Sequence, residues 1–213
     1  MYEGGEPLVT VHFTAGKVKK KLEDLKPTAA PGPDKIWARV LNDLAEALAT
    51  PLALVFTSCL EEGVVPPDWK CANVTPIFKS GSKGSPGNYR PVSLTCIICK
   101  VMESILRDSI VDFLAEHELL RLSQHGFVRR RSMLTNLLEY IEELTKMVDS
   151  GVAMDVVYLD FSKAFDKVPI RRLLMKCEGL GIRGRVLAWI EEWLVGRKQR
   201  VVILSLIHIS EPT

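Results

Sequence analysis

The sequence lacks the features of a membrane protein, a fibrous protein and a disulfide-stabilised secreted scaffold. It has no apolar run approaching the roughly 18 residues of a membrane-spanning helix, and its 12 prolines and 14 glycines are too few for a low-complexity or collagen-like chain. An excess of charge of one sign is also absent, because 28 basic and 26 acidic residues leave a formal net charge of +2. The 213 residues are 47% apolar and 25% charged, which predicts a globular protein with a buried core.

Cysteine is scarce, and its count of five is odd. Such a sparse set predicts reduced thiols and an intracellular protein. Cys96 and Cys99 have the spacing of a redox motif or of half a zinc site, but no second pair and no nearby histidine accompany them, and their neighbours are apolar. We therefore predict that both are small core residues.

Apolar residues recur at helical spacing over most of the chain, and an extended pattern replaces this spacing at three places. The alternation over 72–78 and 89–94, on either side of a polar glycine-rich turn, predicts a two-stranded ribbon with a basic tip. The apolar run 154–159 and residues 199–203 predict two further strands that lack sheet neighbours. Helices are predicted over 16–26, from a cap at Asp34 to about residue 48, from Pro51 to Gly63, over 101–114, from a cap at Ser132 to 147, over 169–179 and over 186–194.

The last ten residues, 204–213, break the pattern of the preceding chain. They resemble translated sequencing-adapter read-through, and a native strand and terminus is the alternative. We expect a non-native tail over these residues.

Charge is distributed unevenly along the second half of the chain. Residues 119–132 hold four arginines and no acidic residue, residues 133–160 hold six acidic residues against one lysine, and residues 163–200 hold ten basic against four acidic residues. Basic blocks on either side of a carboxylate suit metal-bound phosphate chemistry on a polyanion. Solvated faces whose charges average out are the alternative.

Asp160 follows the apolar run 154–159 and therefore stands at the carboxyl end of the predicted strand. A carboxylate in this position suits Mg²⁺, which takes hard oxygen ligands and retains waters and substrate phosphates. On the residues alone, a capping role is the more common one for an aspartate that ends a strand. An aspartate-nucleophile phosphatase is a further alternative, but such enzymes need a second acidic residue two positions later, where Ser162 stands.

Several ordered motifs over about residues 15–203 resemble the reverse transcriptases of non-LTR retrotransposons, the LINE and jockey-like group. The segment 155–166, with Leu-Asp followed by Phe-Ser-Lys-Ala-Phe-Asp, is similar to the first catalytic motif of that family. The other matching segments, in family order, are 30–34, 68–70, 76–79, 88–94, 124–127, 181–182 and 193–199.

The resemblance implies roles for residues near the first catalytic motif. Asp160 is implied to bind two Mg²⁺ ions, with Mn²⁺ as a substitute, and the backbone carbonyl of Phe161 to serve the nucleotide-side ion. Phe165 takes the position of the steric gate that excludes a 2′-hydroxyl, Lys163 is implied to bind the nucleotide, and Asp166 is implied to be a structural hydrogen-bond acceptor.

The resemblance also implies two groups of phosphate-binding residues upstream. Arg90 matches the arginine that grips the incoming triphosphate, with Lys79 as its partner and Lys83 as the alternative. The template-and-primer motif is implied to use Gln124, Gly126, Arg129, Arg130 and Arg131. Here the chain departs from the family, which often has Arg or Lys and then Gly after Gly-Phe; the charge is kept and the glycine is lost.

The fold class implied is α/β (α+β): helical fingers with a β-ribbon, followed by an incomplete ferredoxin-like polymerase palm. We expect an N-terminal helix and linker over 1–33, fingers over 34–150, a partial palm over 151–203 and the tail over 204–213. Because the palm is incomplete, we also expect the fragment to aggregate in isolation. The helices of the fingers, over 35–115, should be more ordered than the palm.

The implied parent function is RNA-directed DNA synthesis by two-metal nucleotidyl transfer. Its partners are an RNA template, a DNA primer and deoxynucleoside triphosphates, with no membrane, and its location is nuclear. The Asp-Asp turn that supplies two more metal ligands in the family does not occur in this sequence, so we expect the chain to be inactive alone. A non-catalytic remnant that binds nucleic acid and a product without a stable fold are the alternatives, and the oligomeric state is left open.

Overall fold

The computed structural model describes residues 5–161 and 164–203, which form a mixed α/β arrangement of helices and one small sheet. This arrangement confirms the mixed class predicted from the sequence. The helices are α1 (Ala15–Glu23), α2 (Ala38–Asp43), α3 (Ala45–Glu62), α4 (Ile97–Glu116), α5 (Met133–Asp149), α6 (Ile170–Gly179) and α7 (Gly184–Leu194). The strands are β1 (Cys71–Phe78), β2 (Tyr89–Thr95) and β3 (Lys198–Val201).

Local capping chemistry sets three of the helix ends. The Thr14 hydroxyl accepts a hydrogen bond from the Lys17 backbone N–H at the start of α1. Ser132 begins α5 in a capping box with Thr135, as the sequence predicts. Gly63 ends α3 with φ at 65°, a left-handed conformation that glycine adopts without steric cost.

Two predicted helix boundaries in the first third of the chain are wrong. The Asp34 carboxylate accepts from the Ile36 backbone N–H at 3.3 Å and closes a local turn, so α2 begins only at Ala38. The next helix does not begin at Pro51, which lies inside α3. Proline removes one helical hydrogen bond, and burial of the α3 face that carries Phe56 offsets this loss.

The sheet has the strand order β2-β1-β3. β1 and β2 form the predicted ribbon in an antiparallel register that pairs Ala72 with Thr95 and Phe78 with Tyr89. β3 pairs with β1 in parallel, with Cys71 opposite Lys198. The expectation that residues 199–203 lack sheet neighbours is therefore wrong, because the edge of β1 opposite β2 accepts this strand.

The strand predicted for Met154–Leu159 does not form. Residues 152–161, all described, have no regular secondary structure, and Val157, Tyr158 and Leu159 expose 76–84% of their surface. An isolated strand leaves its backbone N–H and C=O groups unpaired, so an apolar run alone is not sufficient to make one.

The main core lies between α1, α3, α4 and α7. The Phe56 ring packs edge to face against Phe13, with ring centroids 5.6 Å apart, and against Trp69, with ring centroids 6.0 Å apart.

Cys96 and Cys99 are buried in the same core, which confirms their predicted role. Burial, assisted by the Asp34 carboxyl group, raises the pKa of the Cys96 thiol to about 12. Burial beside Glu103 likewise raises the pKa of the Cys99 thiol, so both thiols are protonated at neutral pH.

Polar contacts join α7 to α4 and to Lys70, the residue directly before β1. The Trp193 indole N–H donates to the Glu103 carboxylate at 2.7 Å, and the Lys70 ammonium pairs with Glu192. The Arg197 guanidinium lies 4.8 Å from the centre of the Trp193 ring, immediately before β3 begins. These contacts bring the chain back from the core to the exposed edge of β1.

The helix α5 packs less closely than the other long helices, since none of its residues is buried. Its apolar side chains form a stripe along one side of the helix that remains exposed, in Leu134, Leu137, Leu138, Ile141 and Val148.

None of the helices within 5–161 and 164–203 is both long enough and apolar enough to cross a membrane.

Candidate functional site

The ribbon carries the two residues predicted to bind a triphosphate. Arg90 in β2 lies opposite Ile77 in β1. Lys79 is two residues after Ile77 and directly follows the last residue of β1. Because side chains alternate between the two faces of a strand, Arg90, Ile77 and Lys79 belong to one face. The Lys79 backbone N–H donates to the Asn88 carbonyl at 2.8 Å, which keeps the pairing intact up to the turn.

The contacts at the tip of the ribbon show which of the two lysines, Lys79 or Lys83, shares a face with Arg90. The Lys83 ammonium lies 5.9 Å from the centre of the Phe78 ring, and the Tyr89 hydroxyl donates to the Lys83 carbonyl at 2.8 Å. Phe78 and Tyr89 occupy the face opposite to that of Arg90. The geometry therefore favours Lys79 as the lysine that shares a face with Arg90.

The loop 119–132 between α4 and α5, here called the basic loop, holds two of its arginines in internal contacts. The Arg129 guanidinium pairs with Asp112 of α4 at 2.6 Å. Arg131 donates to the backbone carbonyls of Leu122 and Gln124, the latter at 3.2 Å. No residue in the described ranges pairs with the guanidinium of Arg121 or Arg130, and both side chains are exposed.

Two non-glycine residues of the basic loop adopt left-handed backbone conformations. Arg130 has φ at 61°, in the left-handed region that glycine prefers. Phe127, immediately after Gly126, has φ at 62°. The Gln124 side-chain amide donates to the Gly126 carbonyl at 3.3 Å, so this glutamine holds the turn around Gly126.

His125 fastens the basic loop to α5, a role that the sequence did not suggest. Its ring nitrogens contact the Thr135 hydroxyl at 2.9 Å and the Glu139 carboxylate at 2.5 Å. The side chain is only 7% exposed, although most of the loop around it is open to solvent. Thr135 and Glu139 are four residues apart and therefore lie on one face of α5. This spacing is the only feature of the sequence that could have indicated a shared partner for the two side chains.

We expect His125→Ala to loosen the basic loop and to reduce the free energy of unfolding by about 1–3 kcal/mol. The substitution removes two hydrogen bonds, one of them to a charged group. Amide hydrogen exchange over 121–131 should become faster, whereas exchange in α1 and α3 should not change.

Glu139→Gln is the matched control for this substitution, because it keeps a hydrogen-bond acceptor beside the ring and removes the charge. It should lower stability less than His125→Ala. Unchanged exchange over 121–131 in His125→Ala would show that His125 does not hold the loop.

The segment around Asp160 contacts α5 and the basic loop. The hydroxyl groups of Tyr158 and Tyr140, a residue of α5, are hydrogen-bonded at 2.6 Å. Phe165 meets Phe127 edge to face, with ring centroids 6.2 Å apart and an interplanar angle of 89°. The structure thus brings the predicted steric-gate residue next to the predicted template motif, while Asp160, Phe161 and Asp166 are exposed. Lys163 lies outside the described residues.

The residues present do not fit a complete two-metal centre. Asp160 and the Phe161 carbonyl supply hard oxygen atoms of the kind that Mg²⁺ prefers. However, no group of three or more His, Cys, Asp or Glu side chains that could hold a metal ion occurs in the part of the chain that the structure describes. One carboxylate does not provide the bridging ligands that two ions require.

Comparisons with known proteins agree with this arrangement of motifs. A family model described as "Reverse transcriptase (RNA-dependent DNA polymerase)" matches residues 77–208. The chain is 27% identical over 168 residues to an RNA-directed DNA polymerase from mobile element jockey of Drosophila melanogaster, covering 78% of this chain and 18% of the relative. The jockey polymerase of Drosophila funebris is 26% identical over 186 residues, which is 87% of this chain and 20% of the relative.

A third relative comes from a different element. It is a retrovirus-related Pol polyprotein from type-1 retrotransposable element R2 of Popillia japonica, 28% identical over 123 residues, covering 58% of this chain and 17% of the relative. The chain spans about a fifth or less of the length of these relatives. Since the family model covers more than half of the sequence and includes β2, the basic loop and the Asp160 segment, the chain belongs to the reverse transcriptase (RNA-dependent DNA polymerase) family.

Proposed function

We propose that this chain is the fingers and the first part of the palm of a retrotransposon RNA-directed DNA polymerase. In this proposal residues 34–150 are the fingers and residues 151–203 carry the first catalytic motif. The observation that supports it is the contact between Phe127 and Phe165, which brings the predicted template motif next to the predicted nucleotide-binding segment. The activity of the whole polymerase and its nuclear location are part of the proposal, because the chain spans only a small part of its relatives.

The proposed contribution of this chain is to bind and orient nucleic acid and nucleotide. Arg90 offers a planar guanidinium that can hold two phosphate oxygens at once, and Lys79 adds a point charge on the same face. The Phe165 ring, 81% exposed, is available to contact a sugar. In a longer polymerase that supplied the missing carboxylates, Mg²⁺ or Mn²⁺ would activate a 3′-hydroxyl and neutralise charge, with Asp160 and the Phe161 carbonyl among the ligands.

A non-catalytic remnant that only binds nucleic acid is the second candidate. The presence of a single carboxylate at the predicted metal position, among the residues described, favours it. Both candidates require binding of nucleic acid by the basic loop, and they differ in whether a longer form of the protein extends a primer.

We expect Arg121→Gln/Arg130→Gln to weaken binding to an RNA–DNA template–primer and to reduce its dependence on salt. Each lost phosphate contact should lower the slope of log affinity against log salt by roughly 0.7–0.9. Fluorescence anisotropy with a labelled template–primer, titrated at several salt concentrations, measures both quantities.

Arg129→Gln/Arg131→Gln is the control, since it removes the same charge from arginines that already contact Asp112 and backbone carbonyls. It should lower thermal stability more and the salt slope less than the first pair. Equal slopes for the wild-type chain and Arg121→Gln/Arg130→Gln would refute the role of the basic loop.

A further inference from the structure

An open cavity of about 310 Å³ lies where β1 and β3 begin side by side. The parallel register sets Lys198 opposite Cys71 and Arg200 opposite Asn73, and all four residues line the cavity. Pro33 forms another part of its wall. Pro33 and Lys198 belong to the segments 30–34 and 193–199 that match the family, but the resemblance implies no role for either residue.

The cavity has the charge of an anion site. Lys198 and Arg200 are exposed cations, and no acidic side chain of the described residues lines the wall. The Arg200 Nε–H donates to the Asn73 side-chain oxygen at 2.7 Å, which fixes the plane of the guanidinium. The two terminal amino groups of Arg200 have no hydrogen-bond partner among the residues that the structure describes. A guanidinium fixed in this way is suited to bidentate binding of phosphate.

Gly32, directly before the lining residue Pro33, allows the chain to pack closely against the end of β2. A Cβ atom at Gly32 would lie 2.6 Å from the Thr95 carbonyl group and from the Cys96 backbone nitrogen. Only glycine allows the backbone to approach the end of β2 this closely. Pro33, which follows directly, is therefore fixed beside the start of the sheet.

Asn73 and Arg200 lie on the same face of the sheet as the predicted triphosphate-binding residues. Asn73 and Ile77 lie on one face of β1, and they pair with Arg200 and Arg90 respectively. Asn73 and Ile77 are about 13 Å apart along β1, and their arginine partners lie on opposite sides of β1, so the backbones of Arg200 and Arg90 are about 16 Å apart. That distance is too long for both guanidinium groups to hold one phosphate, so they suit different phosphates of one extended chain.

We infer that the β1–β3 cavity is a phosphate-binding subsite, formed by Lys198 and Arg200, for the backbone of a single-stranded RNA template. This inference rests on the proposed function and adds a second contact region to it. Asn73 is a positioning residue in this subsite, because it orients Arg200 and does not supply charge.

Binding of a labelled single-stranded RNA of about 20 nucleotides to the whole chain tests the subsite. Lys198→Gln/Arg200→Gln should lower the salt slope by roughly 1.4, which corresponds to two contacts with a single strand. Arg171→Gln/Arg172→Gln, on the exposed side of α6, removes the same charge elsewhere and should leave the slope close to that of the wild type. Asn73→Ala changes no charge and should weaken binding about threefold to tenfold.

Three outcomes overturn the inference. A salt slope for Lys198→Gln/Arg200→Gln equal to that of Arg171→Gln/Arg172→Gln, with both variants folded by circular dichroism, refutes the subsite alone. If a deoxynucleoside triphosphate displaces RNA from the wild type but not from Lys198→Gln/Arg200→Gln, the cavity binds a triphosphate and not the template. A wild-type chain that binds no RNA at low salt overturns the proposed function together with the subsite.

Discussion

The 213-residue chain is expected to give no primer extension above background on an RNA template, with either Mg²⁺ or Mn²⁺. Nucleotidyl transfer in the family implied by the motifs uses two ions that activate the 3′-hydroxyl and stabilise the leaving pyrophosphate. At least three metal-binding side chains are needed, and no such group of His, Cys, Asp or Glu occurs around Asp160 or elsewhere in the described residues. Without both ions, most of a rate enhancement of at least about 10⁶-fold should be lost.

A labelled DNA primer annealed to an RNA template, resolved on a denaturing gel after long incubation, measures this directly. Asp160→Ala is the control, because the substitution removes the only predicted metal carboxylate and changes an exposed side chain. Extension by the wild-type chain that Asp160→Ala abolishes would show that the site is complete, contrary to this prediction. Extension that persists in Asp160→Ala identifies a contaminating polymerase.

Phe56→Ala is expected to reduce the free energy of unfolding by about 3–5 kcal/mol. The Phe56 ring is fully buried and contacts both Phe13 and Trp69, so its removal leaves a cavity at the centre of the core. Since small domains have a total stability of about 5–15 kcal/mol, this loss should unfold a large fraction of the molecules near body temperature. Urea denaturation followed by tryptophan fluorescence measures the change.

Phe165→Ala is the matched control, because it deletes the same atoms from a ring that is 81% exposed. Its effect on stability should stay within about 0.5 kcal/mol. Hydrogen exchange should agree, with strong protection in α3 and α4 and weak protection over 152–161. A loss of stability in Phe165→Ala comparable to that in Phe56→Ala would mean that the Asp160 segment is part of the cooperative core.

Signals that act over a few residues were read correctly from the sequence. The cap at Ser132, the ribbon with its glycine-rich tip and the burial of Cys96 and Cys99 all depend on local patterns or on apolar neighbours. The family was also identified from short ordered motifs, since such motifs need no knowledge of the fold. The predicted boundary at Pro51 failed because packing of α3 outweighed a local preference.

Features that join distant parts of the chain became visible only in three dimensions. Strands were predicted over 154–159 and 199–203, yet only the second prediction corresponds to an observed strand, β3, which pairs with the free edge of β1. Strand formation depends on a neighbour that accepts backbone hydrogen bonds, and neither sequence pattern specifies that neighbour. The same holds for His125 with Glu139 and for Arg200 with Asn73, whose pairing across 14 and 127 residues is set by how the elements pack.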